Sequence, residues 1–267
     1  MIVHHESTET VDALRYSNAA SGGGTEVTSL PLLQAPCEGL PPGLAGLLIT
    51  SDLQGIAPLR ALGGATGLLG EAFAEWYGAL ADDGRVPSPS SVGVILAGDL
   101  YSDPFARKRG ETGDVGPAWE AFARDFAWVA GVAGNHDLFT SRASRSVARR
   151  SHVARLDGDV VTFDGLRIGG VGGIIGKKGK INRRTPASFT NALLQVLAED
   201  PHIVIVHEGP PGIDTSQQGQ VELEDTLEQH PPPLLVSGHV HWNDPWSPSG
   251  NRMHLNVDAR AVLLTPA

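Results

Sequence analysis

Five short apolar runs, each breaking off into small and polar residues, constrain this chain more than any other feature of its sequence. Leu47-Leu48-Ile49, Val92-Gly93-Val94-Ile95-Leu96, Val129-Ala130-Gly131-Val132, Ile203-Val204-Ile205-Val206 and Leu234-Leu235-Val236 have the length and β-branched content of buried strands. Amphipathic spacing predicts helices near residues 68–80, 118–126, 139–149 and 187–197. Residues 159–175 and 253–264 instead alternate short β-like runs with turns. The mixture predicts an α/β core with two sheets.

Residues 1–45 are rich in Ser, Thr, Gly and Pro, as in Ser21-Gly22-Gly23-Gly24 and Pro41-Pro42-Gly43, and show no sustained period. They predict an irregular N-terminal extension ahead of one domain at 46–267, tied down at most by a short strand near 25–33. With 267 residues and 41% hydrophobic content, the chain is long enough to bury a substantial core. No apolar run approaches the ~20 residues that a bilayer crossing needs, and the first residues lack the pattern of a secretory signal. The expectation is a cytoplasmic protein with no membrane partner. Cys37 is the only cysteine, so any metal site has to use His and carboxylate ligands. A net charge of -10 argues against a general nucleic-acid clamp and leaves room only for a local basic patch.

The polar clusters that end the runs are Ser51-Asp52-Leu53-Gln54-Gly55, Gly98-Asp99, Gly134-Asn135-His136-Asp137, His207-Glu208-Gly209-Pro210-Pro211 and Gly238-His239-Val240-His241. In open α/β folds such strand ends converge on one edge, where ligands sit. Singly, each cluster reads as a turn or a hydrogen-bonded structural residue. Jointly they collect carboxylates, an amide oxygen and imidazoles, donors that suit Mn, Fe, Zn or related divalent ions.

In type and order these clusters resemble the calcineurin-like metallophosphoesterases, whose signature runs Asp-x-His, Gly-Asp, Gly-Asn-His-Asp/Glu, a lone His after a strand, and Gly-His-x-His. The match extends over residues 52–241. It implies a four-layer αββα sandwich with two mixed β-sheets and the metal site at the strand ends. It further implies two divalent metal ions, Mn foremost with Fe or Zn as alternatives, and hydrolysis of a phosphoester by a hydroxide bridging them. By position, Asp99 would bridge the ions. Asp52, Gln54 and His241 would complete one site, and Asn135, His207 and His239 the other. His136 follows the Asn directly and is the candidate general acid, with Asp137 or Asp103 to hold its ring.

Gln54 departs from the signature, standing where the family usually has His. Its neutral amide oxygen is a weaker donor than imidazole, so the first site should hold its ion less tightly. Two other readings stand beside that one: Gln54 does not ligate, or the chain is a non-catalytic binding module with a degraded first site. The loop at residues 173–184 carries Lys177, Lys178, Lys180, Arg183 and Arg184 among glycines. It is either a solvated loop or a rim for extra phosphates or a nucleic-acid backbone. The second reading tilts the expected substrate toward a phosphodiester of a nucleotide or nucleic acid, against a small phosphomonoester. Tyr101, Trp242 and Trp246 follow the motifs and offer stacking surfaces unless they simply pack.

Overall fold

The structure, a computed structural model, describes residues 1–177, 179–250 and 252–267, with every side chain there but that of Ala143. The five expected strands all form, as Gly46–Ser51, Val92–Leu96, Trp128–Gly131, Ile203–Glu208 and Leu234–Gly238. They divide between two mixed sheets.

The larger sheet has ten strands. Across it lie Val153–Arg155, Trp128–Gly131, Val92–Leu96, Gly46–Ser51, Arg260–Pro266, Thr25–Glu38, Glu9–Ala19, Ile56–Pro58 and Thr66–Leu68, with Ile2–Val3 paired to Thr25–Glu38. Its first four strands are mutually parallel. The smaller sheet has six, in the order Asp159–Phe163, Leu166–Val171, Ile203–Glu208, Leu234–Gly238, Arg252–Asn256 and Trp246–Ser249. Its four inner strands are parallel, and both edge strands run against them.

Side-chain alternation along the strands sorts the apolar residues into three clusters. Leu48, Val94 and Leu96 pack with Phe73, Tyr77, Trp119 and Phe122, which lie on the helices Leu69–Asp82 and Gly116–Asp125. Ile49, Ile95 and Val262, alternating with them or on the neighbouring strand, meet Ile168, Ile205 and Val236 of the smaller sheet. Val204, Val206 and Leu235 pack against Phe189, Leu193 and Val196 of the helix Pro186–Leu197. Both sheets are therefore covered on two faces, which is why their central strands read as unbroken apolar runs. Among the described residues no helix is long and apolar enough to cross a membrane.

Two expectations are corrected. The helix read over residues 139–149 is only Arg142–Val147. Residues 1–45 are not irregular: Glu9–Ala19 and Thr25–Glu38 form a long hairpin, and Thr25–Glu38 lies between Glu9–Ala19 and Arg260–Pro266. It buries Leu30, Leu32, Ala35 and Cys37. Pro31 and Pro36 hide this strand in the sequence, because proline cannot donate to a ladder and usually argues against an interior strand. The buried positions also shift phase between Leu32 and Ala35, so no single period runs through.

Candidate metal centre

Because Gly46–Ser51, Val92–Leu96 and Trp128–Gly131 are parallel, their C-terminal ends reach the same edge of the larger sheet. The ends of Ile203–Glu208 and Leu234–Gly238 are likewise level in the smaller one. The chain turns away from these ends abruptly. Asp52, Asp99 and His239 have φ of 52°, 55° and 68°, in the left-handed region that costs a non-glycine residue about 1–2 kcal/mol. They are three of the eight non-glycine residues with positive φ among the described residues. Two glycines make the approach close: a Cβ on Gly134 would overlap the backbone and carboxylate of Asp99, and one on Gly238 would overlap the side chains of Ser51 and Asp52.

Asp99 is the centre of the arrangement. Its Oδ1 accepts the backbone N–H of His136 at 2.9 Å, its Oδ2 accepts Gln54 Nε2 at 3.1 Å, and His207 Nε2 lies 3.4 Å from Oδ2. Burial works to raise its pKa, but the charges of His207 and His136 and their hydrogen bonds hold it below the ordinary carboxylate value. His207 is fully buried, and its Nδ1 lies 2.8 Å from the Ala97 carbonyl. A carbonyl only accepts, so Nδ1 carries a proton; burial lowers the ring's pKa, but the charges of Asp99 and Asp52 outweigh it and raise it to about 10, so an ion at Nε2 would displace the second proton.

Asp99, His207 and His239 present donor atoms that all lie within 4.8 Å of one another. The His207 and His239 rings are 5.0 Å apart between centroids. Burial, followed by the charge of His207, pushes the His239 pKa down to about 4, with His136 and Arg183 adding to the effect. A neutral imidazole is the form that binds metal. Asp52 joins this group through its Oδ2, which accepts the backbone N–H of His239 at 2.9 Å and the Ser51 hydroxyl at 2.6 Å. Its pKa is held well above the usual range, first by burial and then by the negative charge of Asp258, with Asp99 adding to it. Crowded, buried carboxylates of this kind are what a cation relieves.

Six buried side-chain atoms have no hydrogen-bond partner among the described residues, and two of them, Asn135 Oδ1 and His207 Nε2, belong to the motif clusters. An unsatisfied buried acceptor costs about 1–3 kcal/mol, and both atoms belong to ligand types for divalent ions. The donor set therefore fits a metal. His241 stands apart: its side chain is 58% exposed and its Nδ1 lies 2.8 Å from Asp258 Oδ2. Gln54 turns its amide nitrogen, not its oxygen, toward Asp99.

Neither carboxylate expected to hold the His136 ring does so. Asp137 accepts the backbone N–H groups of Asp99 and Leu100, each at 2.8 Å, and of Gly134 at 2.9 Å, so it knits two motif loops together. Asp103 accepts the N–H of Arg107. The polar group beside the ring is the Thr112 hydroxyl, 3.5 Å from Nδ1. Trp242 and Trp246 are buried, Trp242 donating to the Gln218 carbonyl, so they pack and offer no stacking face.

Sequence reasoning missed three residues of the site. Asp258 follows Leu255-Asn256-Val257 at the end of Arg252–Asn256, a further strand that breaks off into a polar residue, so a signal was there. Tyr16 reaches the site from the unforeseen hairpin: its ring lies against Gly55, and burial with the nearby Asp258 charge pushes its hydroxyl up to about 12. Asn182, at a left-handed φ of 49°, donates its amide to the carbonyls of Gly134 and Asp137 at 2.8 and 2.7 Å. The basic loop is thereby fastened beside the metal motif, although Lys178 lies outside the described residues.

Comparison with solved structures finds the fold again in TT1561 of Thermus thermophilus. That protein is 17% identical, with a TM-score of 0.55 over 81% of this chain and 90% of the other. A hypothetical protein from the same organism is 15% identical, with a TM-score of 0.47 over 79% of this chain and 75% of the other. No curated protein matches the sequence. The family model of the calcineurin-like phosphoesterases matches residues 47–243, from the first buried strand through Gly-His-x-His. The chain belongs to the calcineurin-like phosphoesterases, a family of metal-dependent enzymes acting on phosphoesters.

Proposed function

We propose that this protein hydrolyses a phosphodiester of a nucleotide or nucleic acid at a two-ion centre, Mn being the preferred metal. The observation that carries the reading is the pair of partnerless buried atoms, Asn135 Oδ1 and His207 Nε2, beside the crowded carboxylates of Asp52 and Asp99. In this reading Asp99 serves both ions, Asp52, Gln54 and His241 serve one, and Asn135, His207 and His239 the other. Two divalent ions so held would acidify a water between them and offset charge on the phosphoryl oxygens.

The remaining work falls to the chain. Ala97 and Asp258 fix the His207 and His241 rings through Nδ1, leaving Nε2 of each for an ion. Asp137 locks the loops that carry Asp99 and Asn135. His136, half-buried and anchored by its backbone N–H on Asp99, donates the proton to the leaving oxygen. The three apolar clusters support an αββα arrangement of four layers. All the proposed ligands fall within 46–267, with the N-terminal hairpin completing the larger sheet.

Turnover of bis(p-nitrophenyl) phosphate and p-nitrophenyl phosphate tests the reading. Faster Mn-dependent release from the diester is expected, abolished by EDTA. Preference for the monoester would move the protein to phosphomonoesters, and full activity in EDTA would refute the two-ion mechanism.

A further inference from the structure

The basic loop is more than a charged surface, because the fold fastens it to the site at two points. Ile174–Ile175 and Arg183–Arg184 pair in parallel, Ile174 against Arg183 and Ile175 against Arg184. On one side of this ribbon the Ile175 N–H donates to Glu208 Oε2 at 2.8 Å, and Glu208 Oε1 lies 4.0 Å from His239 Nε2. On the other, Asn182 clamps the Gly134 and Asp137 carbonyls that flank Asn135 and His136. Arg183 is the residue next to that clamp.

The two arginines have different fates. Arg184 is engaged by Asp157. Arg183 has neither a carboxylate nor a hydrogen-bond acceptor among the described residues, and it is only partly exposed. Its side chain lies across the Gly176 backbone, where an added Cβ would meet Arg183 Cδ and Nη1 at 3.2 Å. A partly exposed arginine with no counter-ion among the described residues, carried by a ribbon pinned to the metal motifs, is prepared for an anion that arrives with the substrate. Lys177 and Lys180 are exposed on the same loop. This much positive charge at one rim exceeds what a single phosphoryl group already held between two cations requires.

We propose that Arg183 is a specificity residue that grips a second phosphate of the substrate, carried next to the scissile one. The proposal rests on the phosphoesterase reading above and names the substrate class as a phosphoester with at least two phosphates. A nucleoside diphosphate and a short oligonucleotide share that chemistry.

The test is calorimetric titration of the Mn-loaded protein with thymidine monophosphate, thymidine diphosphate and a phosphorylated thymidine dinucleotide. At least one ligand with two phosphates should bind roughly tenfold more tightly than the monophosphate, the scale of one charge-assisted contact. The tighter of the two identifies the source. In Arg183→Ala that ratio should fall toward one, and Arg183→Lys, which keeps the charge without the fork, should retain part of it. A merely structural role would weaken all three ligands equally and leave the ratio intact, which overturns the proposal, as do equal affinities in the unmodified protein. Absence of p-nitrophenolate release from both the diester and the monoester, with the ratio present, would strike the phosphoesterase reading alone and leave the anion site standing.

Discussion

At the scale of single residues, Gln54 and His136 separate roles that the motifs alone run together. Gln54 occupies the usual His position and reaches Asp99 through its amide nitrogen. In the proposed two-ion centre Gln54 would bind through its amide oxygen, a weaker donor than imidazole, so the first site would hold its ion less tightly. Gln54→His should therefore raise Mn affinity at the weaker site, read by calorimetric titration; unchanged or weaker binding would show that residue 54 is not a ligand. Asp99→Ala should abolish turnover more completely than Gln54→Ala, because Asp99 is the side chain contacted by Gln54 and facing His207. His136 touches the centre only through its backbone. His136→Ala should keep its metals and lose ~10²–10⁴-fold in rate on an alkoxide leaving group, and far less on p-nitrophenolate. Loss of metal, or equal slowing on both substrates, would make His136 a structural residue. The sequence shows which residues carry the motif but not how Asp137 is used, since its three acceptor contacts are to backbone groups that no pattern of side chains reveals.

At the scale of elements, the motif loops are held by carboxylates acting as backbone staples. Asp114, on the strand Gly113–Asp114 that pairs with Asp137–Leu138, accepts N–H groups of Gly116, Thr140 and Ser141 at 2.8, 2.7 and 2.6 Å and the Ser144 hydroxyl at 2.6 Å. It ties the start of Gly116–Asp125 to the start of Arg142–Val147. Burial opposes its ionisation, but these hydrogen bonds win and depress its pKa below the usual range. A carboxylate with a depressed folded pKa adds stability above its unfolded value, ~3.9, and loses it as pH falls through the folded one. Asp114→Asn should thus cost roughly 1–2 kcal/mol at neutral pH, after allowance for its partial exposure, with the difference shrinking below about pH 4. Urea unfolding at neutral and acid pH measures this, and an equal difference at both would contradict it. The five buried strands were legible because both faces of each are covered, which leaves unbroken apolar runs. Asp114 and Asn182 were not, because a lone polar residue in a loop looks the same whether it staples two elements or faces water.

At the scale of the whole molecule, the N-terminal hairpin and the C-terminal strand complete the larger sheet. Thr25–Glu38 lies against Arg260–Pro266, which in turn pairs with Gly46–Ser51, the strand that delivers Asp52. Removing residues 1–45 would expose an edge and discard the buried Leu30 and Leu32, each worth about 1.5–3 kcal/mol of burial. The truncated protein should lose its cooperative unfolding transition, seen by circular dichroism; an unchanged transition would make the hairpin an appendage, as composition alone suggested. Its place was illegible because strand identity there is set by partners far away in sequence, such as Leu264 beside Ala35, and not by local pattern. The molecule's -10 charge and its cationic rim fit together if the excess carboxylates include those that await cations at the strand ends. The central claim is that these ends form one centre for two ions. Its most direct test is the number of Mn ions bound per chain at saturation, measured by elemental analysis of the chelator-stripped and reloaded protein. Two ions are predicted for the unaltered chain and a clear loss in Asp99→Ala; fewer than one ion in the unaltered chain would contradict the claim.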